Sequence, residues 1–149
     1  MKSECRVRIC RLDPRAVLPQ YASEQAAGAD LYALCDAPVE LMPGQTVRIR
    51  TGLAVQIPEG YAGLIYARSG LSTKRGLAPA NKVGVIDADY RGEIQVALYN
   101  QSDERQTVEP GERIAQLVIA PVLRACFEES EELDETSRGS GGFGSTGKH

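Results

Sequence analysis

The chain has 149 residues, 42% of them hydrophobic and 25% charged, and its formal net charge is −3. This length and balance are typical of one globular domain and exclude both a disordered chain and a miniprotein stapled by disulfides. The single histidine is His149, the last residue, which excludes histidine-dependent triads, zinc sites and phosphorelays and leaves acid–base chemistry to carboxylates.

No apolar run approaches the ~20 residues that cross a bilayer, and the first residues lack the apolar core of a signal peptide. We therefore expect a cytoplasmic protein with no membrane contact. The cysteines include no C-x-x-C pair, which predicts reduced, mostly buried thiols without a metal or redox role: Cys5, Cys10, Cys35 and Cys126.

Charge is distributed unevenly along the chain. Residues 128–135 hold six acids and no base, whereas 17 bases face 14 acids outside that stretch. Such a mildly basic body suits a small anionic ligand, but it lacks the clustered basic and aromatic residues of a nucleic-acid-binding surface. We interpret residues 128–137 as a solvated acidic linker.

In chain order, apolar residues alternate with polar ones at a period of two, most clearly at residues 7–9, 47–50 and 94–98, which predicts half-buried strands. Turn signals rich in glycine, proline and small polar residues separate these strands: 42–44, 57–60, 90–92, 100–103 and 109–112. The sequence therefore predicts an all-β fold, a sandwich or jelly roll.

Two other segments have distinct patterns. Residues 69–77 are the one plausible helix, with Ser69 as a capping-type residue at its start and Gly76 at its end. Residues 114–122 are almost continuously apolar, with Gln116 as the one polar interruption, and predict a strand covered on both faces.

The C-terminal residues 138–149 contain five of the chain's 15 glycines. A disordered terminus is the ordinary interpretation of such a segment. This one also carries a cation, hydroxyls and an aromatic ring, a set that matches phosphate oxygens and a flat apolar group. Its glycine-rich end is not a P-loop, because no Ser or Thr and no helix follow Lys148. We expect a flexible arm whose backbone N–H groups could wrap a polyphosphate.

Three further segments carry groups suited to chemistry, although each alone is a weak signal. Asp30 enters an apolar strand, Arg68 precedes Ser69 and Gly70 in a turn suited to anion binding, and Asp87 lies at a strand end.

Five segments in this order resemble the five motifs of the trimeric deoxyuridine triphosphatases, and the resemblance spans about residues 18–149. The segments are Ala27 to Leu31, Ala67 to Leu71, Gly84 to Gly92, Gly111 to Leu117 and Arg138 to Gly147. Two departures are Ala67, where the family usually has Pro, and Ala29, where it often has a bulkier residue; neither supplies a reacting group.

The resemblance implies a jelly-roll-like β barrel with one short helix and a flexible arm, and a homotrimer whose active sites combine residues of three chains. It implies hydrolysis of dUTP to dUMP and pyrophosphate, which limits uracil in DNA and supplies dUMP for thymidylate synthesis. Asp87 matches the catalytic base that activates a water for attack on the α-phosphorus. Mg²⁺ is the implied cofactor, contacted by Asp30 through water.

The remaining site residues follow from the same resemblance. Those matching the α- and β-phosphate site are Arg68, Ser69, Gly70 and Gln116. Those matching the uracil pocket are Asn81, Gly84, Val85, Ile86 and Asp87, with Tyr90 packed on the deoxyribose. Those matching the arm over the γ-phosphate and base are Arg138, Phe143, Ser145 and Thr146.

The resemblance also predicts the organisation of the chain, with a catalytic domain at 1–127, the acidic linker at 128–137 and the closing arm at 138–149. Two alternatives remain open. One is a dCTP deaminase of the same fold, and the other is a jelly-roll nucleotide-binding regulator without turnover.

Overall fold

The computed structural model describes residues 4–147, and most of their regular structure is antiparallel β-strand. The strands in chain order are β1 Arg8–Arg11, β2 Gln20–Tyr21, β3 Ala29–Tyr32, β4 Val39–Leu41, β5 Thr46–Gln56, β6 Tyr61–Tyr66, β7 Leu77–Pro79, β8 Gly84–Ile86, β9 Glu93–Asn100, β10 Gln106–Val108 and β11 Arg113–Pro121. One helix, α1 Ser69–Arg75, lies between β6 and β7. The prediction of an all-β fold with one short helix is confirmed.

The strands form three separate sheets in the described residues. Their orders are β1-β5-β9-β7, β2-β3-β11-β6-β8 and the pair β10-β4. The two larger sheets do not close into one continuous hydrogen-bonded barrel, and their packing against each other agrees with the sandwich or jelly roll that the sequence predicts.

The hydrophobic core lies between the two larger sheets and takes alternate residues from each. Ile94, Val96 and Leu98 of β9 are buried, as the period of two predicts. They share one cluster with Leu31 of β3 and Leu117 of β11, so the five-stranded sheet is fixed against the four-stranded one. Burial of this apolar surface stabilises the framework on which the polar residues are placed.

The helix ends where the sequence predicts but begins differently. Gly76 adopts φ of 66°, the left-handed conformation that glycine accepts readily, and closes the helix. Arg68, and not Ser69, is the extended residue that precedes the first turn, and no side-chain capping bond is made. Leu77, predicted to lie in the helix, starts β7 because its side chain is fully buried in the core.

Two burial predictions need correction. Strand β11 is covered on both faces only near its start, since Ile114 and Ala115 are buried but residues 118–120 are half-exposed. The cysteines are free, but they are not mostly buried: Cys5, Cys10 and Cys126 are exposed and Cys35 is half-buried. The exposed ones lie before β1, on its solvent-facing side and beyond the last strand, where the core does not reach.

A buried asparagine organises the turns at one end of the fold. Asn100, fully buried at the end of β9, donates from Nδ2 to the carbonyls of Leu41 at 2.9 Å and Glu104 at 2.7 Å. Its Oδ1 accepts from the backbone and hydroxyl of Ser102. These bonds satisfy the amide without water, which is the condition for burying a polar side chain at low cost.

Residues 123–140 are exposed and lie outside any strand. Leu123, Phe127 and Leu133 expose 100%, 95% and 89% of their area, so this segment is not packed on its own chain. Among the described residues, no helix is long and apolar enough to cross a membrane. Met1, Lys148 and His149, which fall within the predicted domain and arm, lie outside the described residues.

Candidate active site

A carboxylate between two arginines is the centre of the first polar group. Asp30 lies in β3 with its side chain 10% exposed. Its Oδ1 accepts from Arg68 Nε at 2.9 Å and its Oδ2 from Arg113 at 3.3 Å. Arg68 also donates to the Arg113 carbonyl at 3.5 Å. The group carries one negative and two positive charges, which leaves a positive balance suited to an anion.

Gln116 joins this group from the neighbouring strand. It is the cross-strand partner of Asp30, and its Nε2 donates to the Ala67 carbonyl at 2.9 Å. Gly28 provides the space, because a Cβ there would lie 2.3 Å from the Gln116 Oε1. Three of the sequence motifs, which are widely separated in the chain, therefore meet around one carboxylate and one amide.

A second group surrounds a cavity of about 210 Å³ at the edge of the five-stranded sheet. The predicted residues that line it are Asn81, Gly84, Val85, Ile86, Asp87 and Tyr90, and Ile65, Glu93, Ile94 and Gln95 complete it. Gly84 lies close to Ile65, since a Cβ there would be 3.2 Å from the Ile65 side chain, and Asn81 Nδ2 would be in ordinary contact at 3.5 Å.

Asp87 is exposed directly after β8. Its carbonyl accepts from the Tyr90 backbone at 3.1 Å, which closes a turn between the two residues. Tyr90 Oη donates to the Glu93 carbonyl at 2.8 Å. The ring covers Gly92, where a Cβ would lie 2.4 Å from Tyr90 Oη. The turn thus fixes the ring beside the cavity and leaves the carboxylate of Asp87 open to solvent.

Glu93 is the second carboxylate of the cavity, and its bonds make it unsuitable as a base. Burial raises the pKa of Glu93, but hydrogen bonds from Arg50, Gln95 and the Gly52 backbone outweigh it and hold the pKa below its ordinary value. Arg50 Nε lies 3.0 Å from Glu93 Oε1. The carboxylate therefore stays ionised and occupied by donors across the neutral range.

The Asp30 group lies on one face of the five-stranded sheet, and the cavity lies at the edge formed by β8. Gln116 pairs with Tyr66 across β11 and β6, whereas Gly84 pairs with Ile65 across β6 and β8. Because neighbouring residues of a strand point to opposite faces, Gln116 and Asp30 point away from the core side on which Ile65 is buried. Val85, which also lines the cavity, pairs with Leu64 and shares the face of Gln116, so the cavity takes residues from both faces. Strand β6 lies between the Asp30 group and the cavity.

The glycine-rich segment forms the third group and stays apart from both. Arg138 Nε donates to the Gly141 carbonyl at 2.8 Å, and the backbone bonds described for 139–147 remain within residues 136–147. Phe143 is fully exposed, and Ser145 and Thr146 are exposed. Within residues 4–147, these side chains have no bond to either polar group.

Asp30 fits a hydrated Mg²⁺ better than a directly bound one. Each of its oxygens already accepts one arginine hydrogen bond, and each keeps a further lone pair that a metal-bound water could use. No group of three or more His, Cys, Asp or Glu suited to a metal occurs among the described residues. A cation that retains its waters matches this sparse donor set.

Arg113 is the residue of this site that sequence reasoning missed. It lies in the motif Gly111 to Leu117, but an arginine at the start of a strand is too common to indicate a function. Arg113 pairs with Tyr32, and the register shift between Arg113 and Ala115 brings its side chain within 3.3 Å of Asp30. Strict alternation from Gln116 would place it on the other face, so no local pattern signals this contact. Ser69 and Gly70 lie in the exposed first turn of α1, beside Arg68.

A second cavity, of about 270 Å³, lies between residues 34–39 and β5 and contains none of the predicted site residues. Burial, together with the nearby acids Asp36, Glu109 and Glu112, raises the pKa of the Cys35 thiol that lines it. A thiol held in its neutral form is a poor nucleophile.

The fold and the first two groups define an all-β protein with an arginine-rich anion site and a small polar cavity. Residues 15–147 match the sequence profile of the dUTPase family. Deoxyuridine 5′-triphosphate nucleotidohydrolase of Syntrophotalea carbinolica is 52% identical over 141 residues, 95% of this chain and 96% of the relative. The enzyme of the same name from Acinetobacter baumannii (strain AYE) is 49% identical over 148 residues, 96% of this chain and 99% of the relative.

Solved structures agree with the sequence relatives. A mutant dUTPase of Staphylococcus bacteriophage 80alpha with dUpNHpp superposes with a TM-score of 0.83 at 32% identity, covering 96% of this chain and 99% of that one. A mutant dUTPase of phage phi11 of S. aureus, described with a structural Mg(II) ion, gives 0.78 at 27% identity, covering 87% of this chain and 99% of that one. The chain belongs to the dUTPase family.

Proposed function

We propose that this chain hydrolyses dUTP to dUMP and pyrophosphate. The observation that carries the proposal is the meeting of three separated motifs around Asp30, Arg68 and Gln116, in a chain about half identical to named nucleotidohydrolases. The phage relative with the dUTP analogue dUpNHpp supports the choice of nucleotide.

In the proposed reaction, Asp87 accepts a proton from a water that attacks the α-phosphorus. The bond between the α-phosphorus and its bridging oxygen breaks, and pyrophosphate leaves with the bonding electrons. Asp87 is suited to this because it is exposed at a rigid strand end and receives no side-chain hydrogen bond among the described residues, unlike Glu93. Arg68 and Gln116, with Ser69 and Gly70, would hold the α- and β-phosphates.

The cavity is suited to read a pyrimidine by its edge. The exposed amide of Asn81 and the backbone of residues 84–86 offer donors and acceptors, and Tyr90 offers a ring against the sugar. A site that hydrogen-bonds one base edge can reject the opposite pattern by ~10⁴- to 10⁵-fold, which is the selectivity needed against dCTP. Asp87 lines the same cavity, so base recognition and water activation would be adjacent.

Mg²⁺ is the proposed cofactor, carried mainly by the triphosphate and its waters, with Asp30 as acceptor from one of those waters. When bound, it neutralises charge on the phosphates. Arg68 and Arg113 hold the carboxylate of Asp30 in place for that contact.

Pyrophosphate release measured separately with dUTP, dCTP, dATP, dGTP, dTTP and UTP tests the proposal. We expect release from dUTP with Mg²⁺ and negligible release from the others. Ammonia released from dCTP would instead support the deaminase, and tight dUTP binding without any product would support a regulator. Either result would overturn the proposed reaction.

We also propose a homotrimer that combines the three groups from different copies. The separation of the Asp30 group, the cavity and the arm supports this, because no hydrogen bond or ion pair joins them within residues 4–147 of one chain. The acidic linker 128–137 can extend ~33 to 36 Å and carry the arm 138–149 from the domain 1–127 to a neighbour. A cytoplasmic location fits a nucleotide substrate and remains part of the proposal.

Mixing two inactive variants tests the sharing of sites. Chains with Asp87→Asn lack the base, and chains cut after Ser137 lack the arm. Mixed trimers contain some sites with both an intact base and an intact arm, so mixing should restore part of the activity. Each variant alone is the control. A fully active monomer in sedimentation, or no gain on mixing under conditions where subunits exchange, would contradict the shared site.

A further inference from the structure

We propose that Arg75 is a positioning residue, which holds α1 so that Arg68 faces Asp30. It lies outside the five segments that resemble the family motifs. The proposal rests on the proposed function for its kinetic consequence, and its structural part stands on the contacts alone.

The helix has few other anchors. It has seven residues, and helices this short are not stable without tertiary contacts. Leu71 is its one buried residue. Arg75 follows Leu71 by four positions and therefore lies on the same face, one turn nearer the C-terminal end. The Gly76 carbonyl just beyond the helix accepts from the Gln101 backbone at 2.8 Å, and Arg75 is the side chain of α1 that bonds to other elements.

Arg75 makes an unusually complete set of contacts. Its Nε donates to Gln106 Oε1 at 3.1 Å, and its terminal nitrogens donate to the Thr107 carbonyl and to Glu112. The other carboxylate oxygen of Glu112 accepts from the Glu109 backbone at 2.9 Å. The guanidinium thus joins α1 to β10 and to the turn before β11, and a lysine could not make all three bonds.

The two ends of the helix contact the same dipeptide. At the C-terminal end, Arg75 binds Glu112; at the N-terminal end, Arg68 binds the Arg113 carbonyl and shares Asp30 with the Arg113 guanidinium. Glu112 and Arg113 are consecutive, so a shift of one end of the helix is transmitted to the other. Loss of Arg75 should therefore displace Arg68 from Asp30 and from the phosphates.

The test compares Arg75→Ala with Lys74→Ala in the full chain. Lys74 is the exposed neighbour of the same charge and makes no side-chain hydrogen bond or ion pair among the described residues. Small displacements of positioning groups cost up to ~10²-fold in rate, so we expect Arg75→Ala to lower kcat/KM for dUTP about 10- to 100-fold. Lys74→Ala should stay close to the unsubstituted value, and Arg75→Lys, which keeps the ion pair with Glu112, should recover part of the loss.

A double-mutant cycle separates positioning from general destabilisation. If Arg75 acts through Arg68, adding Arg75→Ala to an Arg68→Ala chain should produce little further loss. An equal loss in both backgrounds would overturn the proposal.

Amide exchange without nucleotide gives a readout independent of catalysis. In Arg75→Ala, exchange at Ser72 and Gly76, whose N–H groups bond within α1, should become about tenfold faster while β9 is unchanged. Unchanged exchange at both amides would overturn the positioning role. An unsubstituted chain that releases no pyrophosphate from dUTP would overturn the proposed function instead, and the exchange result would still decide the role of Arg75.

Discussion

Asp87→Asn should lower kcat for dUTP by ~10²- to 10⁴-fold, the range typical of losing a general base, while dUTP binding stays near normal. The substitution preserves the shape of the side chain and the turn to Tyr90, which uses the backbone carbonyl. It removes only the proton acceptor. No histidine is available to replace it, since the chain's one histidine is the last residue.

The matched control is Asp89→Asn, which changes the other carboxylate of the same turn. Asp89 is exposed and does not line the cavity, so turnover should remain close to that of the unsubstituted chain. Turnover is measured with a stopped-time assay and dUTP affinity by calorimetry, so that the effect on catalysis is separated from the effect on binding. If Asp87→Asn retains most of its turnover, or if both substitutions reduce it equally, Asp87 is not the base.

Cutting the chain after Ser137 should lower kcat strongly and leave the melting temperature almost unchanged. Among the described residues, the removed segment bonds to the retained chain only at Thr136 in the linker, and Phe143 is fully exposed, so the hydrophobic core keeps all its contacts. In the proposed closed state, Phe143 stacks on the uracil, a contact worth ~1 to 3 kcal/mol in other base–aromatic pairs. Arg138 adds a charge-assisted bond to the γ-phosphate.

Closure must also compensate for the backbone entropy lost by a glycine-rich segment. The arm should therefore be ordered by a non-hydrolysable dUTP analogue with Mg²⁺ and remain mobile with dUMP, which lacks the γ-phosphate. Amide exchange at residues 139–147 measures this difference. Equal exchange with and without the analogue, or full activity after truncation, would leave the segment as a disordered terminus only.

The sequence contained enough to predict the strands but not how they meet. Alternation identified β5 and β9, and the turn at Gly44 follows from Pro43 and the glycine's left-handed φ of 78°. The arrangement of the strands in two sheets pairs residues far apart in the chain, and no local pattern encodes that pairing. The burial of Cys10 could not be predicted either, since a small apolar residue can lie on the buried or on the exposed face of a strand, and in β1 it is exposed.

The site likewise has residues that the sequence identifies and contacts that only the fold reveals. The residue types and their order identified Asp30, Arg68 and Gln116, and the structure brings these three together. The contact between Asp30 and Arg113 joins residues 83 positions apart and depends on the register of β3 and β11, so periodicity alone could not reveal it. The roles assigned to the arm remain predictions, because its side chains meet no partner within one chain.

The attack of water on the α-phosphorus is tested most directly by hydrolysing dUTP in ¹⁸O-labelled water and measuring the masses of both products by mass spectrometry. The account predicts that one ¹⁸O atom per turnover enters dUMP and none enters pyrophosphate, because the new bond forms at the α-phosphorus. Label in pyrophosphate would mean attack at the β-phosphorus, and with it a different role for Asp87 and for the arginines around Asp30.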